Sequence, residues 1–211
     1  STAEHAMALL LAVTKGLRRV SRSADRGVTG VPAPSALELD GATLGLVGLG
    51  RIGVRVAVAA RALGMTVIAA DPAMADSPVE GVDMTSLEGI WAGSDVVSLH
   101  APAVAETHHL VNADTIEAMK DGVFLVNCAR GGLVDQEALV AALDSGKVAG
   151  AGLDVTEPEP LPVGHPLLGR DDVVVTPHIA SSTRAGRLRL FAHAFDHALA
   201  ALAGQPRHVV S

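Results

Sequence analysis

Six short, largely apolar runs alternate along the chain with segments whose apolar residues recur at helical spacing. A short apolar run between turn residues is typical of a strand that is buried on both faces of a parallel sheet. The sequence predicts strands at residues 43–47, 66–70, 95–99, 123–127, 148–153 and 173–175, and helices at residues 3–20, 54–63, 85–90, 114–119, 136–143 and 181–203. This alternation predicts an α/β fold, a doubly wound parallel sheet with helices on both faces.

A glycine-rich turn joins the first predicted strand to the helix that follows it. Gly48, Gly50 and Gly53 have the G-x-G-x-x-G spacing of a dinucleotide-binding turn. In such a turn the first glycine permits a tight bend, the second lets a pyrophosphate approach the backbone, and the third lets the helix pack closely on the strand. Asp71 ends the second strand 21 residues after Gly50, where an acidic side chain binds ribose hydroxyls. The sequence therefore predicts a Rossmann-type dinucleotide-binding fold.

The charge pattern after Asp71 favours NAD as the cofactor. No arginine or lysine follows Asp71 within several residues, so this segment offers no cation for the 2′-phosphate of NADP. We therefore expect NADH to be preferred over NADPH.

Composition narrows the classes of protein and partner. Of the 211 residues, 49% are hydrophobic and 18% are charged, which is typical of a globular protein with a large buried core. The formal net charge of −7 argues against a nucleic-acid partner, because phosphate binding needs a basic surface. No apolar run is long enough to span a bilayer, no signal peptide is evident, and Cys128 is the only cysteine. We expect a cytoplasmic protein with no membrane or nucleic-acid partner.

Three chemically active side chains follow predicted strands. Arg130 lies beside two glycines after the fourth strand, Glu159 lies in the Pro-rich segment after the fifth, and His178 follows the sixth. Arginine offers a bidentate fork for a carboxylate, and histidine is a good acid/base group near neutral pH. A nearby carboxylate stabilises a charged imidazole. The three residues together predict acid/base chemistry on a carboxylate-bearing substrate, although each alone is more often structural.

His108 and His109 raise the question of a metal site. Adjacent residues point in different directions on a regular element, and no Cys, Asp or Glu stands nearby at ligand spacing. We expect this pair to lie in a loop or at a helix start, and we predict no metal site.

Several motifs, in order along nearly the whole chain, resemble those of the D-isomer-specific 2-hydroxyacid dehydrogenases. They are AEHAMALLLA, similar to the inter-domain helix of that family; VGLGRIG, its nucleotide turn; LHAP, its adenine-side loop; NCARGGLVD, the segment of its catalytic arginine; and LDVTEPEPLP and TPHIASST, the segments of its catalytic glutamate and histidine. The resemblance implies an NAD-dependent oxidoreductase that transfers a hydride between the cofactor and a small 2-keto or 2-hydroxy acid.

The resemblance also implies a role for individual residues. Arg130 would bind the carboxylate and carbonyl of the substrate, His178 would protonate the carbonyl oxygen during reduction, and Glu159 would hold and tune the imidazole. Asp154 would hydrogen-bond the nicotinamide carboxamide. The cofactor-binding residues predicted from the turn and the resemblance together are Gly48, Gly50, Arg51, Ile52, Gly53, Asp71, His100, Ala101, Pro102, Thr107, Cys128, Ala129, Arg130, Asp154, His178 and Ala180.

In the family, a separate substrate domain is built mainly from residues ahead of the inter-domain helix and from the C-terminus. By that comparison, residues 1–205 would be the NAD-binding domain with its inter-domain helices, and residues 206–211 a stub of the substrate domain. We therefore expect this chain to bind NAD but to turn over weakly or not at all by itself. The segment 21–40 resembles the arm through which such proteins form homodimers.

Two other functional classes remain open at this stage. A non-enzymatic NAD(H)-sensing protein, similar to the transcriptional corepressors that resemble this family, could keep the same catalytic set. Another Rossmann enzyme, such as a hydrolase that holds NAD tightly, would need a cysteine or lysine set that the sequence does not show. The segment 153–168 resembles hydroxypyruvate and glyoxylate reductases, while 3-phosphoglycerate dehydrogenases remain possible.

Overall fold

A seven-stranded parallel sheet forms the centre of the computed structural model, which describes residues 1–30 and 36–205. The strands are β1 (Thr43–Val47), β2 (Thr66–Ala70), β3 (Val82–Met84), β4 (Val96–Leu99), β5 (Val123–Asn127), β6 (Val148–Leu153) and β7 (Val173–Val175). Their order across the sheet is β3-β2-β1-β4-β5-β6-β7, and all pairs are parallel. The predicted doubly wound α/β fold is confirmed.

Within the described residues, seven helices surround or follow the sheet. They are α1 (Thr2–Thr14), α2 (Leu17–Asp25), α3 (Gly53–Ala62), α4 (Leu87–Gly93), α5 (Ala113–Glu117), α6 (Gln136–Ser145) and α7 (Arg184–Leu202), with short 3₁₀ turns at Ala105–Thr107 and Gly131–Leu133. Helices α1 and α3 cover one face of the sheet, and α4, α5 and α6 cover the other. Since alternate residues of a strand face opposite sides, each face has its own apolar core. For example, Phe124 packs in the first core and its neighbour Leu125 in the second.

The strand order places the functional segments side by side. The chain runs outward from β1 to β3 and then returns to β4, so the winding direction reverses between β1 and β4. In open α/β sheets, ligands bind in the crevice beyond the carboxyl ends of the strands at such a reversal. The segments after β2, β1, β4, β5, β6 and β7 therefore lie in that order along one edge.

Two predictions about local structure were wrong. The helix expected over residues 3–20 is two helices, because Gly16 adopts a left-handed conformation with φ of +60° and ends α1. The sequence reading also missed the edge strand β3, which has only three residues with the charged Asp83 in the middle. The helix expected over residues 85–90 consequently begins later, at Leu87, after the N-cap Ser86.

The segment 21–40, which resembles a dimerisation arm, is partly helical. Its first five residues continue α2, and residues 31–35 lie outside the described part of the chain, as does the predicted stub at 206–211. Helix α7 has no buried residue, and Phe191 and Phe195 are among its exposed apolar side chains. Within residues 1–30 and 36–205, no helix is both long and apolar enough to cross a membrane.

Candidate active site

The glycine-rich turn packs tightly against the neighbouring strand. Gly48 has φ of +95°, and a Cβ at this position would lie 2.9 Å from the carbonyl carbon of His100. A Cβ on Gly53 would lie 2.3 Å from the carbonyl oxygen of Gly48. Only glycine fits at either position without moving backbone. By contrast, a Cβ on Gly50 would meet no atom within 4 Å, so the outer surface of the turn is open to a ligand.

Two backbone donors at this turn are free to bind an anion. Among the described residues, the N–H groups of Arg51 and Ile52 have no hydrogen-bond acceptor, because they lie just ahead of the first residue of α3. The positive end of the helix dipole adds to their attraction for a phosphate. The turn therefore fits the pyrophosphate of a dinucleotide.

Asp71, which directly follows β2, is hydrogen-bonded to the same turn. Its Oδ2 accepts a hydrogen bond from the N–H of Leu49 at 2.9 Å, and its Oδ1 accepts one from the N–H of Ala73 at 2.9 Å. A carboxylate oxygen can accept more than one hydrogen bond, so each retains capacity for a ribose hydroxyl. The structure thus places Asp71 beside the turn with acceptor capacity left over.

The segment after β4 forms a loop next to the glycine-rich turn, and hydrogen bonds hold this loop at both ends. The N–H of His100 donates to the carbonyl of Val47 at 2.7 Å, which ties the loop to β1. The hydroxyl of Thr107 donates to the carbonyl of Pro102 at 2.7 Å and accepts from the N–H of Val104 at 2.9 Å. Ala101 lies between these two anchors. The predicted residues of this loop therefore lie at the sheet edge beside the glycine-rich turn.

The buried Asn127 shapes the turn that carries Arg130. Its side-chain oxygen accepts from the N–H of Ala129 at 2.9 Å, and its Nδ2 donates to the carbonyl of Arg130 at 2.8 Å. The guanidinium of Arg130 is exposed, and its Nη1 donates to the carbonyl of Ala129 at 2.6 Å. The arginine therefore presents a cation at the sheet edge from a fixed backbone.

Cys128 is part of the same turn, and its thiol is unreactive near neutral pH. Its side chain is buried, and this burial, together with the nearby charge of Asp154, raises the pKa of the thiol to about 12. The thiol stays protonated near neutral pH and is a poor nucleophile. Only the shape and the backbone of this residue can serve a cofactor.

Glu159 and His178 form an ion-pair geometry, although they come from loops after different strands. The Nδ1 of His178 lies 3.1 Å from Oε1 and 3.2 Å from Oε2 of Glu159. His178 has φ of +52°, a conformation that is uncommon for residues other than glycine. Its N–H donates to the carbonyl of Asp154 at 2.8 Å, which holds this unusual backbone in place. Both side chains remain about half exposed, so the ring can still meet a ligand.

Asp154 is almost entirely buried and organises the segment around His178. Its Oδ1 accepts from the hydroxyl of Thr176 at 2.6 Å and from the N–H of Ile179 at 2.9 Å, and its Oδ2 accepts from the N–H of Ala180 at 2.9 Å. The Nε2 of His5, from α1, lies 3.3 Å from the same Oδ1. With these partners and an exposure of only 1%, the carboxylate positions the backbone around His178. A direct bond to the nicotinamide carboxamide stays a prediction.

Comparison with known proteins agrees with this arrangement. Residues 7–180 match the family described as "D-isomer specific 2-hydroxyacid dehydrogenase, NAD binding domain". The chain belongs to this family. The resemblance inferred from the motifs is therefore confirmed, and NAD is the cofactor that the family description names.

Several relatives of this family are 36–46% identical to the chain over the aligned residues. A D-3-phosphoglycerate dehydrogenase of Archaeoglobus fulgidus is 45% identical over 90% of the chain, and a hydroxypyruvate reductase of Thermotoga maritima is 46% identical over 90% of it. A solved structure of an Aquifex aeolicus D-lactate dehydrogenase, complexed with NAD and lactic acid, is 36% identical and has a TM-score of 0.87 over 97% of the chain and 66% of its own length. The chain spans 36% and 62% of the first two relatives' lengths.

The structure adds three residues of this NAD-binding domain that sequence reasoning missed. Asn127 fixes the Arg130 turn, while Thr176 and His5 contact the Asp154 carboxylate. Asn127 could have been noticed as a polar residue that ends an otherwise apolar strand. His5 gave no such signal, because it lies 171 residues from Thr176 and meets it only in the folded chain.

Proposed function

We propose that the chain is the cofactor-binding part of an NAD-dependent dehydrogenase that interconverts a 2-hydroxy acid and a 2-keto acid. The observation that carries this proposal is the contact between His178 and Glu159, at the same sheet edge as the exposed Arg130. Bound NAD(H) would accept or supply the hydride. The residues of the chain supply binding, orientation and proton transfer.

His178 is the proposed acid/base residue. When its Nδ1 carries a proton and donates it to Glu159, its Nε2 is the ring atom that exchanges a proton with the substrate oxygen. The carboxylate of Glu159 fixes this orientation and stabilises the imidazolium that can protonate a carbonyl. In the direction of oxidation, the neutral Nε2 would take the hydroxyl proton.

Arg130 is the proposed anchor of the substrate carboxylate. Its guanidinium is exposed, and only one of its nitrogens has a partner among the described residues, the carbonyl of Ala129. The remaining N–H groups can bind a carboxylate in a bidentate manner. Binding of the substrate carboxylate by Arg130 would hold the keto group of the substrate next to His178.

We propose that NADH is preferred over NADPH. The support is Asp71, whose carboxylate lies beside the glycine-rich turn and would repel a 2′-phosphate. The test is a fluorescence titration of the chain with NADH and with NADPH, for the unchanged chain and for Asp71→Ala. We expect tighter binding of NADH, and loss of most of that difference in the variant. Equal binding of both cofactors by the unchanged chain would contradict the preference.

The decisive experiment on function measures NADH oxidation with hydroxypyruvate and glyoxylate in the longest natural protein that contains this chain. General acid/base catalysis contributes about 10²–10⁴-fold, so His178→Gln should lower kcat by that factor while NADH binding is retained. Arg130→Gln should raise KM for the keto acid most. An NAD(H)-sensing protein without activity is the alternative, and it would bind NADH but oxidise none with any 2-keto acid.

Two further proposals concern the whole protein. We propose that turnover needs a substrate-closing domain beyond these residues, so the chain alone should bind NADH but show little or no oxidation. We also propose a homodimer formed through the segment 21–40, which sedimentation of the chain and of a variant lacking residues 26–36 would test. The particular 2-hydroxy acid and a cytoplasmic location stay predictions from the sequence.

A further inference from the structure

Three ligand-bearing side chains converge outside the residues assigned above. The Nε2 atoms of His108 and His109 each lie 3.9 Å from the same oxygen, Oε2 of Glu157. All three ligand atoms lie within 4.8 Å of one another. The carboxylate comes from the loop after β6 and the imidazoles from the loop after β4, so the fold, and not their sequence spacing, creates the cluster.

The backbone presents both rings on the same side. His109 has φ of +49°, and its ring stacks on that of His108 with centroids 3.9 Å apart and planes inclined by 22°. The N–H of His109 donates to the carbonyl of Gly132 at 2.8 Å, and its carbonyl accepts from Nδ2 of Asn112 at 3.0 Å. These hydrogen bonds hold His109 in its left-handed conformation. In that conformation the two adjacent side chains lie on the same side of the backbone, whereas on a regular element they would point in different directions.

The backbone of Glu157 is held in place from the other side of the cluster. The carbonyl of Glu157 accepts a hydrogen bond from the side chain of Gln136. A Cβ on Gly131 would lie 2.1 Å from the carbonyl oxygen of Thr156, which shows how closely the two loops approach. A Cβ on Gly132 would lie 3.1 Å from Oε2 of Glu157. The two glycines therefore allow the carboxylate to reach the histidines.

In the part of the chain that the structure describes, the side chains of the cluster form no hydrogen bond outside it. Among the described residues, the two rings and the Glu157 carboxylate make polar contacts only with one another, at 3.9 Å from each ring Nε2 to Oε2. Ligand atoms about 2.0–2.2 Å from a tetrahedral Zn²⁺ are about 3.4 Å apart. The two 3.9 Å separations need to close by about 0.5 Å. The separation between the two imidazole ligand atoms, within 4.8 Å, needs to close by no more than about 1.4 Å. The rings are 58% and 41% exposed and can rotate out of their stack to converge on one ion.

We propose that His108, His109 and Glu157 bind a late first-row divalent cation, with Zn²⁺ as the probe. Two imidazoles and one carboxylate are a common zinc ligand set, and water would complete the four-coordinate shell. Imidazole ligands suit Zn²⁺, Ni²⁺ and Cu²⁺, whereas Mg²⁺ prefers an all-oxygen, octahedral shell. None of these three residues is among those assigned above to the cofactor or to the proposed reaction, so the proposed site does not rest on the dehydrogenase activity.

The test is calorimetric titration of the chain with Zn²⁺, with Mg²⁺ as the comparison ion. His193 and His197 lie four residues apart on α7 and could bind the same ions, so the titration uses the chain carrying His193→Gln and His197→Gln. We expect one Zn²⁺ per chain in this background and no Mg²⁺ binding. NMR resonances of the two imidazoles should shift together as Zn²⁺ is added.

Three single variants assign the ligands. We expect each of three variants to weaken Zn²⁺ binding by at least about tenfold: His108→Gln, His109→Asn and Glu157→Gln. Loss of a residue that only supports a metal ligand already lowers metal affinity by about 10–100-fold, so loss of a ligand should cost at least as much. Asparagine is chosen at residue 109 because it tolerates the left-handed backbone. Glu106→Gln is the matched control, because it removes one carboxylate from the same loop outside the cluster and should leave the affinity unchanged.

The outcomes separate clearly. Equal Zn²⁺ affinity in the parent chain and in all three variants, with unfolding midpoints showing that each is folded, would overturn the proposal. Absence of any Zn²⁺ binding in the parent would overturn it as well. Loss of binding in Glu157→Gln and His109→Asn but not in Glu106→Gln would establish the site.

Discussion

His100 should make the folded chain less stable as the pH falls. Its imidazole lies at the carboxyl end of β4, where Nε2 is 3.0 Å from the hydroxyl of Ser98 and the buried Nδ1 has no partner among the described residues. Burial lowers the pKa of this histidine from 6.5 to about 4. The side chain is therefore neutral in the folded protein at any pH near neutrality.

The sign and the size of the effect follow from proton linkage. In the unfolded chain the imidazole takes up a proton near pH 6.5, whereas in the folded chain it stays neutral until about pH 4. Between these values the unfolded state binds more protons, so the free energy of unfolding falls as the pH falls. At about 1.4 kcal/mol for each unit of pKa shift, the loss is about 3 kcal/mol near pH 4 and approaches its limit of about 3.4 kcal/mol at lower pH.

The assay compares urea unfolding of the chain and of His100→Gln from about pH 7.5 to about pH 4. Groups that titrate in both proteins cancel in the difference between the two unfolding free energies. We expect this difference to move by about 3 kcal/mol in favour of the variant over that range. His193→Gln, on the exposed helix α7, controls for the removal of an imidazole as such.

Two results would refute this reasoning. One is a difference in unfolding free energy between the chain and His100→Gln that stays the same at every pH. It would mean that the histidine titrates alike in the folded and the unfolded state. An NMR titration that shows the folded ring of His100 protonating near pH 6.5 would lead to the same conclusion.

Other substitutions test the fold around the site. Asp135→Ala removes the carboxylate that accepts two backbone N–H bonds at the start of α6, at 3.0 and 3.1 Å, and should cost about 1 kcal/mol in urea unfolding, whereas Asp135→Asn should cost much less. Leu46→Ala removes a fully buried side chain and should cost about 2–5 kcal/mol; a loss below about 1 kcal/mol would mean that the core collapses around the gap. Gly53→Ala should destabilise the fold by about 1–3 kcal/mol, while Gly50→Ala should keep the stability and lower the affinity for NADH. Equal stability of the two glycine variants would contradict the packing argument.

Most of the fold could be read from the chain because buried parallel strands have a strong local signature. Residues 43–47, 66–70 and 123–127 are strands with the predicted bounds, since each is an apolar run between turn residues. The edge strand β3 lacked this signature, because an edge strand pairs on one side only and tolerates a charge at Asp83. Similarly, the break after α1 depends on one left-handed glycine within an otherwise helical segment.

The candidate site was predictable where a residue belongs to a local motif. The spacing of Gly48, Gly50 and Gly53 indicates a dinucleotide-binding turn. Arg130, Glu159 and His178 were predictable because each follows a strand, and the carboxyl ends of parallel strands lie at one edge of the sheet. The support around them was not predictable. Thr176 and His5 reach Asp154 from strand and helix segments that are far apart in sequence, so only the packing of α1 on the sheet brings them together.

The sequence by itself thus determined the parallel sheet, the glycine-rich turn and the family, because each depends on the order of residues within a short segment. Only the tertiary structure decided which side chains meet across loops. The sequence shows no carboxylate at ligand spacing from His108 and His109, yet Glu157, which is 49 and 48 residues further along the chain, lies 3.9 Å from both rings. Side chains on different loops meet through strand order and the close approach of glycine backbones, and no linear spacing records those distances.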